Sequence, residues 1–213
     1  MGEKKESKTK QTLGKNSQVV RLEKIIKMIG PITYMPHETD SYSHLIDSII
    51  GQMLSNKVAD IISDRMLALC EGKVTPRKVS RLSDEQIRGI GISAAKTGYI
   101  KDITNRVLSG ALDFDKFSEM SDQEIIKELT CIKGIGSWTA KMYLIFVLDR
   151  QVVLPYEDGA FLQAYQWAYK TKDLSVASIK KRCKKWSPYS SIAARYLYCA
   201  LDNGLTKEEF HLN

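Results

Sequence analysis

The chain has 213 residues, with 32 Lys plus Arg against 25 Asp plus Glu, for a formal net charge of +7. That balance suits a polyanionic partner, and a hydrophobic content of 43% can fill one compact core or two lobes. No apolar run is long enough to span a bilayer and no signal peptide is evident, so a soluble intracellular protein is expected, cytoplasmic if the source is prokaryotic, with no membrane partner. Residues 1–17 are rich in Lys, Ser and Gly without periodicity, which predicts a flexible basic tail. Val19 to Met28 has helical apolar spacing and stops at Gly30-Pro31. Further helices are predicted over 42–54, 57–70, 76–81, 84–89, 93–108, 122–130, 137–148, 158–169, 175–185 and 189–201. Ser83 with Gln86, and Ser121 with Glu124, fit the capping box, while Ser93 and Ser137 stand where N-caps belong. Val152-Val153-Leu154 is too short to imply a sheet, and there is no internal repeat. The fold class is all-α.

Cys70, Cys131, Cys183 and Cys199 are widely separated, with no CxxC pair. An iron–sulfur cluster needs closer spacings, so none is expected, and the four thiols should be free, reduced and mostly packed. His37, His44 and His211 form no zinc-ligand spacing. No cofactor is required by these residues.

The richest segment runs from Leu129 to Asp158. A helix should end near Leu129, a tight Gly134-Ile135-Gly136 turn follows, and a second helix begins at Ser137. Glycines there can take φ > 0 and bring backbone close to a ligand. The first amides of the second helix, with the helix dipole behind them, favour an anion such as a phosphate oxygen. Lys133 and Lys141 add positive charge. A bare GxG is more often an ordinary connection between helices. Here apolar residues flank it on both sides, and the chain then emerges through Leu154-Pro155 to Glu157 and Asp158. A phosphate clamp with a carboxylate downstream suggests chemistry on DNA.

The string Leu129-x-x-Ile132-Lys133-Gly134-Ile135-Gly136-x-Trp138-Thr139-Ala140 resembles the helix–hairpin–helix of the DNA glycosylase superfamily, and Pro155-x-x-Asp158 resembles the loop that carries its aspartate. Leu45 to Ser55 resembles the family's early helix and wedge loop. Trp186-Ser187-Pro188-Tyr189-Ser190 with Ala193-Ala194-Arg195-Tyr196-Leu197 resembles its C-terminal helix. Ile90-Gly91-Ile92-Ser93 through Lys96 and Tyr99-Ile100 is similar to a motif of the 3-methyladenine DNA glycosylase II branch. These motifs stand in the family's order and cover roughly residues 42–200.

The resemblance implies two helical lobes with a cleft between them. One lobe comprises 18–44 plus 150–213, the other 45–149, ending in the hairpin over 129–148. A monomer acting on double-stranded DNA with a damaged base is expected. Asp158 takes the catalytic role, with Glu157 as the local rival and Asp149 a weaker one. Bifunctional relatives carry a lysine where this chain has Trp138, so a glycosylase without a lyase step is implied. Trp138, Tyr198 and Met142 would line the base pocket, with Tyr143 and Tyr189 as weaker candidates; each aromatic could instead be core. Met142 departs from the family, where close relatives have an aromatic ring. Gln52, Met53 and Leu54 would form the wedge, Met53 foremost. Lys133, Gly134, Ile135, Gly136, Ser137 and Thr139 would hold the DNA backbone. Carbonyls of Thr130, Ile132 and Ile135 would hold a structural Na⁺ or K⁺. The basic run Lys180-Lys181-Arg182 with Lys184-Lys185 is either a solvated helix face or a phosphate contact. An alkylated purine is the implied substrate. The alternatives are a uracil/thymine-mismatch or oxidised-base glycosylase, and a helix–hairpin–helix protein that only binds DNA.

Overall fold

The computed structural model describes residues 19–32 and 40–212, and every described helix follows from local sequence. The predicted tail over 1–17 and His37 lie outside them. Helix α1 covers 19–29. Then come α2 Ser41–Gly51, α3 Asn56–Leu69, α4 Pro76–Ser80, α5 Asp84–Gly89, α6 Ala94–Leu108, α7 Asp122–Thr130, α8 Ser137–Phe146, α9 Gly159–Tyr169, α10 Val176–Cys183 and α11 Ser190–Asp202. Short 3₁₀ turns lie at Phe114–Ser118, Lys184–Trp186 and Leu205–Lys207. No strand occurs among the described residues, so the fold is all-α.

The chain divides into two compact units, one of Met1–Tyr34 with Arg150–Asn213 and one of Met35–Asp149. In the second unit α2 is the central rod. The Asp40 side chain accepts the Ser43 amide at 2.8 Å and caps it. Tyr42, Leu45, Ile46, Ile49 and Ile50 recur at helical spacing and are buried. That stripe packs against α3, α6 and α8. Leu45, Ile46 and Ile49 are 0% exposed, and each such side chain contributes about 1.5–3 kcal/mol by leaving water. The lobe boundary expected at 44/45 therefore falls inside a single capped helix. Tyr143 of α8 is fully buried beside Phe114 and Phe117, which makes it core and not a pocket ring. Both predicted capping boxes form, at Ser83/Gln86 and Ser121/Glu124, and Ser93 caps α6.

In the first unit α9 packs on α11, and Phe161, Tyr165, Trp186 and Leu197 fill the space around them. Arg182 donates to the Tyr165 hydroxyl at 2.8 Å and lies over the Tyr165 and Tyr169 rings. Lys180 lies over Tyr156. The basic run is thus split: Arg182 is partly buried against aromatic faces, while Lys180, although over the Tyr156 ring, is exposed like Lys181, Lys184 and Lys185. Of the four thiols, Cys70 and Cys183 are buried, Cys199 is partly buried and Cys131 is exposed.

Candidate active site

The first unit presents Asp158 as the N-cap of α9. Its Oδ1 accepts the Phe161 amide at 2.6 Å, and the side chain is only 8% exposed. The segment leading to it is tied down. The Ser191 hydroxyl accepts the Val153 amide at 2.9 Å and donates to the Val153 carbonyl at 3.0 Å, and the Ser191 amide donates to Gln151 at 2.9 Å. On α11, two turns beyond Ser191, Tyr198 hydrogen-bonds the Asp158 carboxylate through its hydroxyl. Burial pushes the Tyr198 hydroxyl far above the usual tyrosine range, and the charges of Asp158 and Glu157 push the same way. The phenol stays protonated and donates. Glu157, next in sequence, is exposed.

The second unit carries the hairpin. Gly134 has φ +84°, and a Cβ there would collide with the Tyr99 ring, so both backbone and space require glycine. Gly136 is different. Its φ is −94°, a Cβ there would meet nothing within 4 Å, and it caps α8 with no side chain of its own. The cap expected at Ser137 thus sits one residue earlier, and Ser137 is the first helical residue. The first bond of α8 closes from the Ala140 amide to the Gly136 carbonyl at 3.0 Å. The positive end of the helix faces open space, where an anion is favoured. Ile132 and Ile135 are buried, and the Ile135 amide donates to the Ile132 carbonyl at 3.1 Å.

Met53 is 100% exposed with φ +57°. A left-handed non-glycine residue costs about 1–2 kcal/mol. Here it aims an apolar side chain outward. Its neighbour Gln52 donates from Nε2 to the Gly134 carbonyl at 2.6 Å, joining loop to hairpin. Gln52, Met53, Leu54, Trp138 and Met142 line one cavity of about 800 Å³, together with Gly134, Gly136 and Thr139. Trp138 is 43% exposed there. Motifs more than 80 residues apart in sequence thus converge on one hollow. Lys96 and Tyr99 also serve this region. Both lie within the Ile90–Ile100 motif, but nothing in that stretch spells out what their side chains reach.

No protein-family model matches the chain. It is 30% identical over 183 residues to DNA-3-methyladenine glycosylase 1 of Schizosaccharomyces pombe, covering 82% of this chain and 79% of that one. It also matches the crystal structure of a DNA-3-methyladenine glycosidase from Bacillus halodurans at a TM-score of 0.80 and 33% identity, over 90% of this chain and 88% of the other. A Schizosaccharomyces pombe 3-methyladenine DNA glycosylase solved in complex with abasic DNA matches at 0.77 and 26%, over 88% and 97%. An all-helical chain with this glycine hairpin, matching these proteins over most of their length, belongs to the helix–hairpin–helix family of DNA glycosylases.

Proposed function

We propose that this protein is a monofunctional DNA glycosylase of base excision repair. It turns an alkylated purine, such as 3-methyladenine, out of duplex DNA and hydrolyses the N-glycosidic bond through Asp158. The observation that carries this reading is the setting of Asp158: a nearly buried carboxylate, aimed by a helix amide at 2.6 Å and by the Tyr198 hydroxyl. As the base departs, positive charge develops on the sugar. A fixed carboxylate stabilises that charge and can take a proton from the attacking water. Exposed Glu157 lacks the burial that would make its charge effective.

The other parts fit the same reading. The positive end of α8 and the open space at Gly136 suit a phosphate, with Lys133, Ile135, Ser137 and Thr139 around it. Exposed Met53 suits insertion between bases, flanked by Gln52 and Leu54. Trp138 and Met142 line the adjoining cavity, and an electron-poor alkylated base gains from an indole face. Trp138 has no amine for a Schiff base, so the product is an intact abasic strand. Carbonyls of Thr130, Ile132 and Ile135 would hold a Na⁺ or K⁺ ion that braces the turn; the Ile132 carbonyl, which accepts the Ile135 amide at 3.1 Å, has a second lone pair to offer.

The test is base release from duplexes carrying an alkylated purine, uracil opposite guanine, or an oxidised guanine. Alkylated purine should be released fastest. Asp158→Asn keeps an N-cap and the fold, yet should slow release roughly 100-fold. Borohydride should trap no covalent complex. Near-wild-type turnover of Asp158→Asn would remove Asp158 from the chemistry, and efficient trapping would reveal an amine nucleophile.

A further inference from the structure

One face of α6 reaches both the hairpin and the wedge loop. Lys96, Tyr99, Asp102 and Arg106 fall within about 120° of the helix at 100° per residue. Lys96 Nζ donates to the carbonyls of Ile50 at 2.8 Å and Gln52 at 2.7 Å, where α2 ends and the wedge loop begins. Tyr99 lays its ring against Gly134. Asp102 Oδ2 accepts the Lys133 amide at 3.4 Å and Arg106 Nε at 3.1 Å. Arg106 Nη2 reaches the Cys131 carbonyl at 3.3 Å. Gln52 closes the circuit by donating to Gly134.

We propose that Lys96 is a positioning residue for base opening, holding the Gln52–Leu54 loop so that Met53 stands at a fixed distance from the phosphate-binding turn. The inference rests on the glycosylase reading above. A helix C-terminus leaves carbonyls without intrahelical donors, and a cation there satisfies them. Lys96 does this with two bonds to the residues that flank Gly51. The next residue after that anchor, Met53, has a left-handed backbone that relaxes unless its surroundings hold it. Insertion of a side chain into a base stack needs a stiff support, because a loose loop would yield before the stack opened. Anchoring loop and turn to one helix face supplies that stiffness. Burial pushes the Lys96 ammonium below the usual lysine range, in keeping with a side chain turned inward and not toward solvent.

Lys96→Met removes the ammonium and keeps the stem. Single-turnover release of the best alkylated purine is measured from two substrates. One is an intact duplex, and the other has a one-nucleotide gap opposite the lesion, where no base pair must be opened. The intact duplex should react about tenfold more slowly than with wild type. The gapped one should react less than twofold more slowly. Affinity for undamaged duplex should stay within twofold. Met53→Ala should be slowed on the intact duplex as well, and the double variant should be no slower than the slower single one, because both act through one side chain. Equal slowing on both substrates, additive losses in the double variant, or no slowing at all would overturn the role. If Lys96→Met does not fold by circular dichroism, Lys96→Gln serves in the same comparison. A wild type that releases no base from either substrate would instead bring down the glycosylase reading itself.

Discussion

Helices α8 and α9 begin in opposite ways. Each has a positive N-terminal end that favours a negative charge. Helix α9 supplies its own: the Asp158 carboxylate folds back onto the Phe161 amide at 2.6 Å. Helix α8 supplies none: its cap is Gly136, with nothing within 4 Å of where a Cβ would stand. The difference teaches how one physical device serves two tasks. Filled from within, the helix end fixes the orientation of a carboxylate. Left open, it favours an outside anion, which on the reading proposed above is a DNA phosphate. The approaches differ to match. The turn before α9 is built on the Asp158 amide donating to the Pro155 carbonyl at 3.0 Å and needs no glycine. The turn before α8 needs Gly134, because φ is +84° and Tyr99 occupies the Cβ position.

Three substitutions sharpen or break this comparison. The largest effect should come from Gly134→Ala. A left-handed alanine costs about 1–2 kcal/mol and the collision with Tyr99 a further ~1–3 kcal/mol, so urea unfolding should show a loss of about 3 kcal/mol. A loss below ~1 kcal/mol would mean that the turn can be redrawn without glycine. Next comes Gly136→Asp, which gives α8 the kind of cap that α9 has. Aspartate is at least as good an N-cap as glycine, so stability should hold or rise by a few tenths of a kcal/mol. Affinity for undamaged duplex should nevertheless fall about tenfold, roughly 1.4 kcal/mol, because the new carboxylate repels the phosphate. Titrations at two salt concentrations would also show a shallower salt slope. Unchanged binding would show that phosphate does not meet this helix end. The smallest effect should come from Tyr198→Phe, which removes one of the donors that hold Asp158. Base release should slow about fivefold, near 1 kcal/mol, with DNA affinity unchanged. A loss as large as that of Asp158→Asn would make the phenol a direct participant.

Much of this arrangement is legible in the chain. Capping boxes at Ser83/Gln86 and Ser121/Glu124 are settled within four residues, so local sequence suffices for them. The same holds for Asp158 at the start of α9 and for the apolar stripe of α2. The one-residue shift from Ser137 to Gly136 shows the limit of that approach: two adjacent residues can each serve as a cap, and the approach of the preceding turn decides between them.

What sequence alone determined is therefore the short-range part: an all-helical chain, its helix ends, a glycine hairpin and a carboxylate placed to cap a helix. These depend on hydrogen bonds and periodicities spanning a few residues. Tertiary structure decided the rest. It buried Tyr143 among Phe114 and Phe117 while leaving Trp138, five residues earlier, on the wall of a cavity. It set the Tyr198 hydroxyl on a carboxylate 40 positions away and the Lys96 ammonium on carbonyls 44 and 46 positions away. No local rule links such positions. They meet because the burial of apolar faces fixes how helices cross, and the polar groups brought together by that packing then find one another.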